Sequence, residues 1–146
     1  INAKMNEIQS ALGLVQLRHI DNYLISRKRI YNNYCSTLKN IKGIRIIKYN
    51  SNTTPNYSYM PILIEESCSC SVESLYKIFI RSGILVRRYF YPIIPKYNAY
   101  KKMIKRTSSL NNANLISQSV ICLPINPTLK ESQQNKILDL IKKYCI

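Results

Sequence analysis

Apolar residues recur at Ile8, Leu12, Val15, Leu17, Ile20, Leu24, Ile30, Tyr31, Tyr34 and Leu38, close to the 3.6-residue period of a helix face. The spacing predicts one helix over residues 5–38, on the order of 50 Å long at the usual rise per residue. A helix of that length exceeds what one small domain needs, so it is expected to overshoot its own core and pack against a second body. Gly13 sits inside the pattern, where glycine costs about 1 kcal/mol relative to alanine. The expectation is that another backbone approaches closely there. The chain opens at Ile1 with the helix soon under way and no obvious cap, which suggests the back part of a larger protein.

After this helix, Lys42-Gly43 signals a stop. Strands are predicted over 44–49, 57–64, 84–89 and 120–124, with Pro61 expected at an edge or bulge because it cannot donate to a ladder. Residues 50–56 and 65–71 read as loops, the second carrying Cys68 and Cys70. Ser71 can cap a helix over 72–81 that Gly83 ends. Residues 90–100 are rich in proline and tyrosine without a period, and a short helix is expected near 97–104. A further short helix covers 111–119. Thr128-Leu129-Lys130-Glu131 has the form of a capping box and opens a last helix over 129–144. Helices of this kind pack on one face of a small, mainly antiparallel sheet, which makes an α+β domain led by one long N-terminal helix.

A chain of 146 residues is one domain by length and hides roughly two-thirds of its unfolded surface on folding. Its formal charge of +15, from 22 basic and 7 acidic residues, favours anionic partners. A compositional bias toward Ile, Asn, Lys and Tyr accounts for the same charge without any binding role, since the basic residues are spread along the chain. No apolar run approaches the ~20 residues of a membrane span, and no signal segment stands at the start. Five cysteines, with Cys68-x-Cys70 as the one short spacing and His19 as the sole histidine, do not form a zinc pattern. They read as reduced and structural, which suggests a cytoplasmic setting.

Much catalytic equipment is missing. With three glycines there is no phosphate loop, one histidine supports no nucleophile triad, and no pair of acids stands out. Two segments remain. In Asn2-Ala3-Lys4-Met5 an amide and an ammonium stand just ahead of a helix, where backbone donors and the positive dipole end favour a phosphate; an ordinary helix start with a solvated lysine is the competing reading. In Arg87-Arg88-Tyr89-Phe90-Tyr91-Pro92 two guanidiniums and three aromatics leave a strand. Such a set suits a phosphate or a stacked base, or equally a strand end with solvated arginines and core aromatics.

Taken in order, these segments resemble the DegT/DnrJ/EryC1/StrS family of sugar aminotransferases. Residues 2–14 are similar to its Asn-x-(Arg/Lys)-Met-x-(Glu/Asn)-x-Gln-Ala-Ala-x-Gly-Leu signature. Tyr57-Ser58-Tyr59-Met60-Pro61, Arg87-Arg88-Tyr89-Phe90-Tyr91-Pro92, and Cys122-Leu123-Pro124 followed by the last helix resemble later segments. The resemblance implies the small C-terminal domain of a dimeric, pyridoxal-phosphate-dependent enzyme, all 146 residues forming that domain. The large cofactor-binding domain, with its Schiff-base lysine, would lie before Ile1, so the fragment alone is expected to be inactive. The resemblance carries Asn2 and Lys4 over to cofactor binding, across the dimer in the case of Asn2, and Arg87, Arg88, Tyr89 and Tyr91 to the substrate entrance. It implies an amino donor such as glutamate and a thymidine-diphosphate 4-keto-6-deoxyhexose. One departure stands out: Tyr91-Pro92-Ile93-Ile94 has Ile94 where many members place a histidine. Two rival readings are a basic nucleic-acid-binding module using Arg87, Arg88 and the tyrosines, and a purely structural dimerisation piece using the long helix.

Overall fold

A computed structural model describes residues 4–50, 52–100 and 109–146. Among them stand four α-helices, α1 Glu7–Leu38, α2 Val72–Arg81, α3 Asn111–Ser119 and α4 Glu131–Cys145, and three strands, β1 Ile44–Ile46, β2 Met60–Ile64 and β3 Val120–Leu123. The strands form one antiparallel sheet in the order β1-β2-β3. The α+β architecture is the expected one.

The N-terminus of α1 is capped, contrary to expectation. Asn6 Oδ1 accepts from the Gln9 backbone N–H at 2.8 Å, and Gln9 Oε1 accepts from the Asn6 N–H at 3.1 Å. Asn-x-x-Gln is a capping box with amides in place of the usual hydroxyl and acid. The first buried residue of α1 is Ile30, followed by Tyr31, Tyr34 and Leu38. The N-terminal half therefore runs clear of the core with Ile8, Leu12, Leu14 and Leu17 exposed. Nothing lies within 4 Å of a Cβ built on Gly13, so among the described residues no backbone outside its own helix approaches there.

The strand alternation sorts side chains onto two faces. Met60, Ile62, Ile64, Ile121 and Leu123 join the main core with α1, α2 and α4, where Leu75, Phe79, Ile137, Leu138 and Ile141 are buried. Each fully buried aliphatic or aromatic side chain contributes about 1.5–3 kcal/mol of hydrophobic driving force. Leu63, Val120 and Cys122 face the other way and form a small second cluster covered by Tyr89. Polar ties cross the main core: Tyr34 Oη donates to the Pro124 carbonyl at 3.0 Å, and buried Gln134 donates to the Ile30 carbonyl at 2.8 Å while accepting from Asn33.

Three expectations need correction. Pro61 lies in the central strand rather than at a sheet edge. The Glu65 N–H donates to the Gly43 carbonyl, on the β1 side. Alternate residues along a strand face the same neighbour, so Pro61 faces that side too. It stands opposite Ile47, one position past the end of β1, where no donor is required. The strand over 84–89 shrinks to a single bridge, Arg87 with Cys122. The Thr128–Glu131 capping box does not form, because Thr128 donates both its backbone N–H and its hydroxyl to Asn126 Oδ1. Helix α4 starts instead at Glu131, and Gln133 Oε1 accepts from the Lys130 N–H. Ser71 caps α2 as expected, accepting from the Ser74 N–H, and Gly83 follows with φ +74°. The helix expected near 97–104 falls partly outside the described residues; a short 3-10 turn occupies Ile94–Lys96.

Candidate functional site

The bridge between Arg87 and Cys122 is what places the arginine–tyrosine segment. Two backbone bonds, Cys122 N–H to Arg87 carbonyl at 2.7 Å and Arg87 N–H to Cys122 carbonyl at 3.3 Å, pin the segment to the outer edge of β3. Successive residues then point to opposite sides, and the neighbouring arginines receive different environments.

Arg87 is exposed and donates through Nη1 to Tyr89 Oη. That bond, followed by the partial negative charge of the phenol, pushes the Arg87 guanidinium above its ordinary range. Tyr89 packs edge-on against Tyr59, with ring centroids 5.2 Å apart, and leans on Phe90 at 5.0 Å. Arg88 turns inward: its side chain is 12% exposed, its Nη1 lies 3.1 Å from Glu73 Oε2, and its guanidinium covers the Tyr91 ring at 3.8 Å. Such stacking over an aromatic face is a favourable cation–π contact. With its fork committed to α2 and Tyr91, Arg88 holds the segment in place, while Arg87 is the arginine presented to solvent.

Arg87 and Tyr89 line a cleft of about 410 Å³ together with Arg27, Ser58, Tyr59 and the 122–127 stretch that leaves β3. Arg27 comes from α1 and is half-buried, with Nε 3.5 Å from the Tyr23 carbonyl. Its place in this cleft is invisible in the sequence, where it lies amid the other basic residues of the long helix, far from Arg87. Cys122 also lines the cleft, and burial pushes its thiol up, partly offset by a bond from the Tyr89 backbone, so it is held as a weakly nucleophilic thiol. A second, apolar hollow on the far side of Tyr89 is walled by Phe90, Pro92, Ile94, Leu110 and Ile116.

The other predicted residues lie elsewhere. Asn2 is outside the described residues. Lys4 is exposed in a shallow groove with Met5, Gln9, Leu12, Gly13 and Gln16. From Glu7 to Arg27 the helix rises about 30 Å, so Lys4 and Arg87 cannot meet in one site within this chain. Pyridoxal phosphate needs a walled phosphate cradle and a lysine beneath its ring. The open groove at Lys4 supplies one side at most, so the described residues do not enclose that group. Among the described residues no cluster of His, Cys, Asp or Glu is placed to hold a metal, and no helix is long and apolar enough to cross a membrane. The cysteines are unpaired.

The sequence profile of the DegT/DnrJ/EryC1/StrS aminotransferase family matches residues 1–142. A dTDP-4-amino-4,6-dideoxy-D-glucose transaminase of Escherichia coli is 42% identical over 142 residues, 97% of this chain and 38% of that protein. A transaminase of the same name from Shigella dysenteriae is 35% identical over the same shares. The chain thus spans about 38% of the length of these curated relatives. Helicobacter pylori PseC, an aminotransferase involved in the biosynthesis of pseudoaminic acid, superposes with a TM-score of 0.86 at 23% identity, over 99% of this chain and 38% of its own. That last likeness is one of fold.

Proposed function

The chain belongs to the DegT/DnrJ/EryC1/StrS aminotransferase family, and from that premise we propose that it is the C-terminal domain of a cytoplasmic, homodimeric sugar-nucleotide aminotransferase. The whole enzyme passes an amino group from an amino acid, glutamate, to a keto-deoxy sugar nucleotide, a thymidine-diphosphate 4-keto-6-deoxyhexose, in deoxysugar biosynthesis. The observation that carries this is the 42% identity to the E. coli transaminase along 97% of the chain but 38% of that protein.

Pyridoxal phosphate supplies the amino-carrying chemistry in such enzymes. The lysine that binds it covalently belongs to the large domain, not to this chain. Asn2 and Lys4, which precede α1 in the sequence, face the cofactor phosphate of the opposite subunit. Arg87, Tyr89 and Tyr91 face the sugar nucleotide, and Arg88 keeps that segment in register through Glu73 and Tyr91. The free chain carries no transaminase activity.

The test joins the portion of the E. coli relative that precedes its matching region to this chain. The hybrid is incubated with glutamate and the keto sugar nucleotide, and the amino sugar is sought by mass spectrometry. Formation of the amine by the hybrid, and none by the chain alone, is the expected result. A folded, cofactor-loaded hybrid that forms no amine with any thymidine-diphosphate keto sugar would overturn the reading.

A further inference from the structure

The five thiols are not spread evenly through the fold. Cys122 belongs to the small cluster on the second sheet face, and Cys35 on α1 has the Tyr31 hydroxyl as its partner. The other three meet at one corner of the main core. Cys68 and Cys70 stand in the loop between β2 and α2, and Cys145 stands in the last turn of α4. Cys70 is 9% exposed and Cys145 1%, while half-buried Cys68 packs against the same cluster. The Cys145 thiol has the Cys68 thiol as its hydrogen-bond partner. Cys70 is turned aside, its Sγ donating to the Ser71 carbonyl at 3.6 Å.

Both sides of this meeting are held by the fold. The Cys68 N–H donates to the Glu65 carbonyl at 3.0 Å, and the Glu65 N–H donates to the Gly43 carbonyl at 2.8 Å. Gly43 lies so close to the Cys68 main chain that a Cβ there would fall 2.3 Å from its nitrogen. On the other side, Ile137, Leu138 and Ile141 root α4 in the core. A disulfide forms without distortion only where the fold already delivers two cysteines to each other. Access is unequal. Burial pushes the Cys70 and Cys145 thiols up, and Cys68 is the least enclosed of the three.

We propose that Cys68 and Cys145 are a reversible redox pair, closing into a disulfide that fastens the end of α4 to the β2–α2 loop when a small-molecule disulfide such as oxidised glutathione is in excess. Cys68 enters first. Its sulfur attacks one sulfur of the oxidant, forming a mixed disulfide and releasing one glutathione thiolate. Cys145 Sγ then attacks Cys68 Sγ and expels the second glutathione thiolate. The two cysteines lose two electrons and two protons, and one oxidised glutathione becomes two reduced ones. In a reducing compartment such a pair is transient and redox-sensing, not a permanent staple. The inference is independent of the aminotransferase reading.

The folded 146-residue chain is equilibrated with reduced and oxidised glutathione over a range of ratios, quenched with acid and alkylated. Intact mass should show the loss of two hydrogens with no glutathione attached, and tryptic mapping should join the Cys145 peptide to the one holding Cys68 and Cys70. Cys70→Ala should keep the link, which identifies Cys68. Cys145→Ser should stop at a glutathione adduct on Cys68. Cys68→Ser, at the least enclosed position, should lose the link while keeping its far-UV circular dichroism. The linked chain should fold with an equilibrium constant about a hundredfold larger, from closing a loop on the order of 80 residues, and dithiothreitol should reverse this. A link between Cys68 and Cys70, one joining two chains, or one that forms only in urea would overturn the proposal. So would an unchanged link in Cys68→Ser, a parent chain that stops at the glutathione adduct, or a linked chain no more stable to urea than the reduced one.

Discussion

Gly43 is the position where a single added carbon should do most damage. Its φ is +78°, and a Cβ built there falls 2.3 Å from the Cys68 backbone nitrogen and 2.4 Å from the Cys68 Cα. The neighbour is main chain, so it cannot swing aside. Both strands of the contact are also bonded in place: Glu65 N–H to the Gly43 carbonyl at 2.8 Å, and Cys68 N–H to the Glu65 carbonyl at 3.0 Å. Left-handed backbone costs a residue with a side chain about 1 kcal/mol, and forced overpacking adds about 1–3 kcal/mol. Gly43→Ala should therefore lose about 3 kcal/mol. Gly83 provides the control, with φ +74° and nothing within 4 Å, so Gly83→Ala should lose only the conformational cost of about 1 kcal/mol. Gly13, helical and open on every side, should gain up to about 1 kcal/mol as alanine. Urea unfolding of the three variants measures these differences, provided the slopes match that of the parent chain. If Gly43→Ala falls within about 0.5 kcal/mol of Gly83→Ala, the backbone contact with Cys68 is not what fixes this turn, and the reasoning fails.

Two further outcomes follow from buried groups. Burial raises the Tyr34 hydroxyl above its ordinary value near 10, and it likewise raises the Cys122 and Cys145 thiols. A group whose folded pKa is raised stabilises fully below its unfolded value. Stability should thus hold to about pH 8.5 and fall as the pH climbs through the thiol and phenol ranges. Tyr34→Phe should cost about 1 kcal/mol at pH 7 through the lost bond to the Pro124 carbonyl, and should flatten the decline above about pH 10 in thermal melts. The two adjacent arginines should also separate. Arg88→Ala should lower stability by about 1–2 kcal/mol and shift the Tyr91 ring resonances, after discounting for the exposure of Glu73. Arg87→Ala should leave the unfolding midpoint unchanged. Equal midpoints for the two variants would refute the inward placement of Arg88.

Elements whose signal is local were legible from the residues. The apolar period of α1, the Ser71 cap and the Gly83 stop each depend on neighbours within a turn or two. What misled was competition between local options. Thr128 and Glu131 have capping-box spacing, but Asn126, two residues upstream, captures the Thr128 hydroxyl and moves the helix start. Asn6 and Gln9 cap α1 with amides, where the usual box carries Ser or Thr at its first position. Pro61 looked like an edge residue because the sequence does not reveal where β1 ends. The site was half legible. Arg87 and Arg88 are equivalent as letters, and only the bridge to Cys122 sends one outward and the other inward over the Tyr91 ring. Arg27 enters the cleft through the way α1 lies across the sheet, information that no pattern along α1 contains.

The long helix also has a mechanical consequence. It is anchored from Ile30 onward and continues clear of the core to a capped end at Asn6. Arg27, next to the anchor, lines the cleft, while Lys4 lies just past the far end. Such a rod is a lever. A tilt of about 5° at the anchor carries a tip about 30 Å away through about 3 Å, roughly the length of one hydrogen bond. Small repacking around Arg27 is thereby amplified into a displacement large enough to make or break a contact at Lys4.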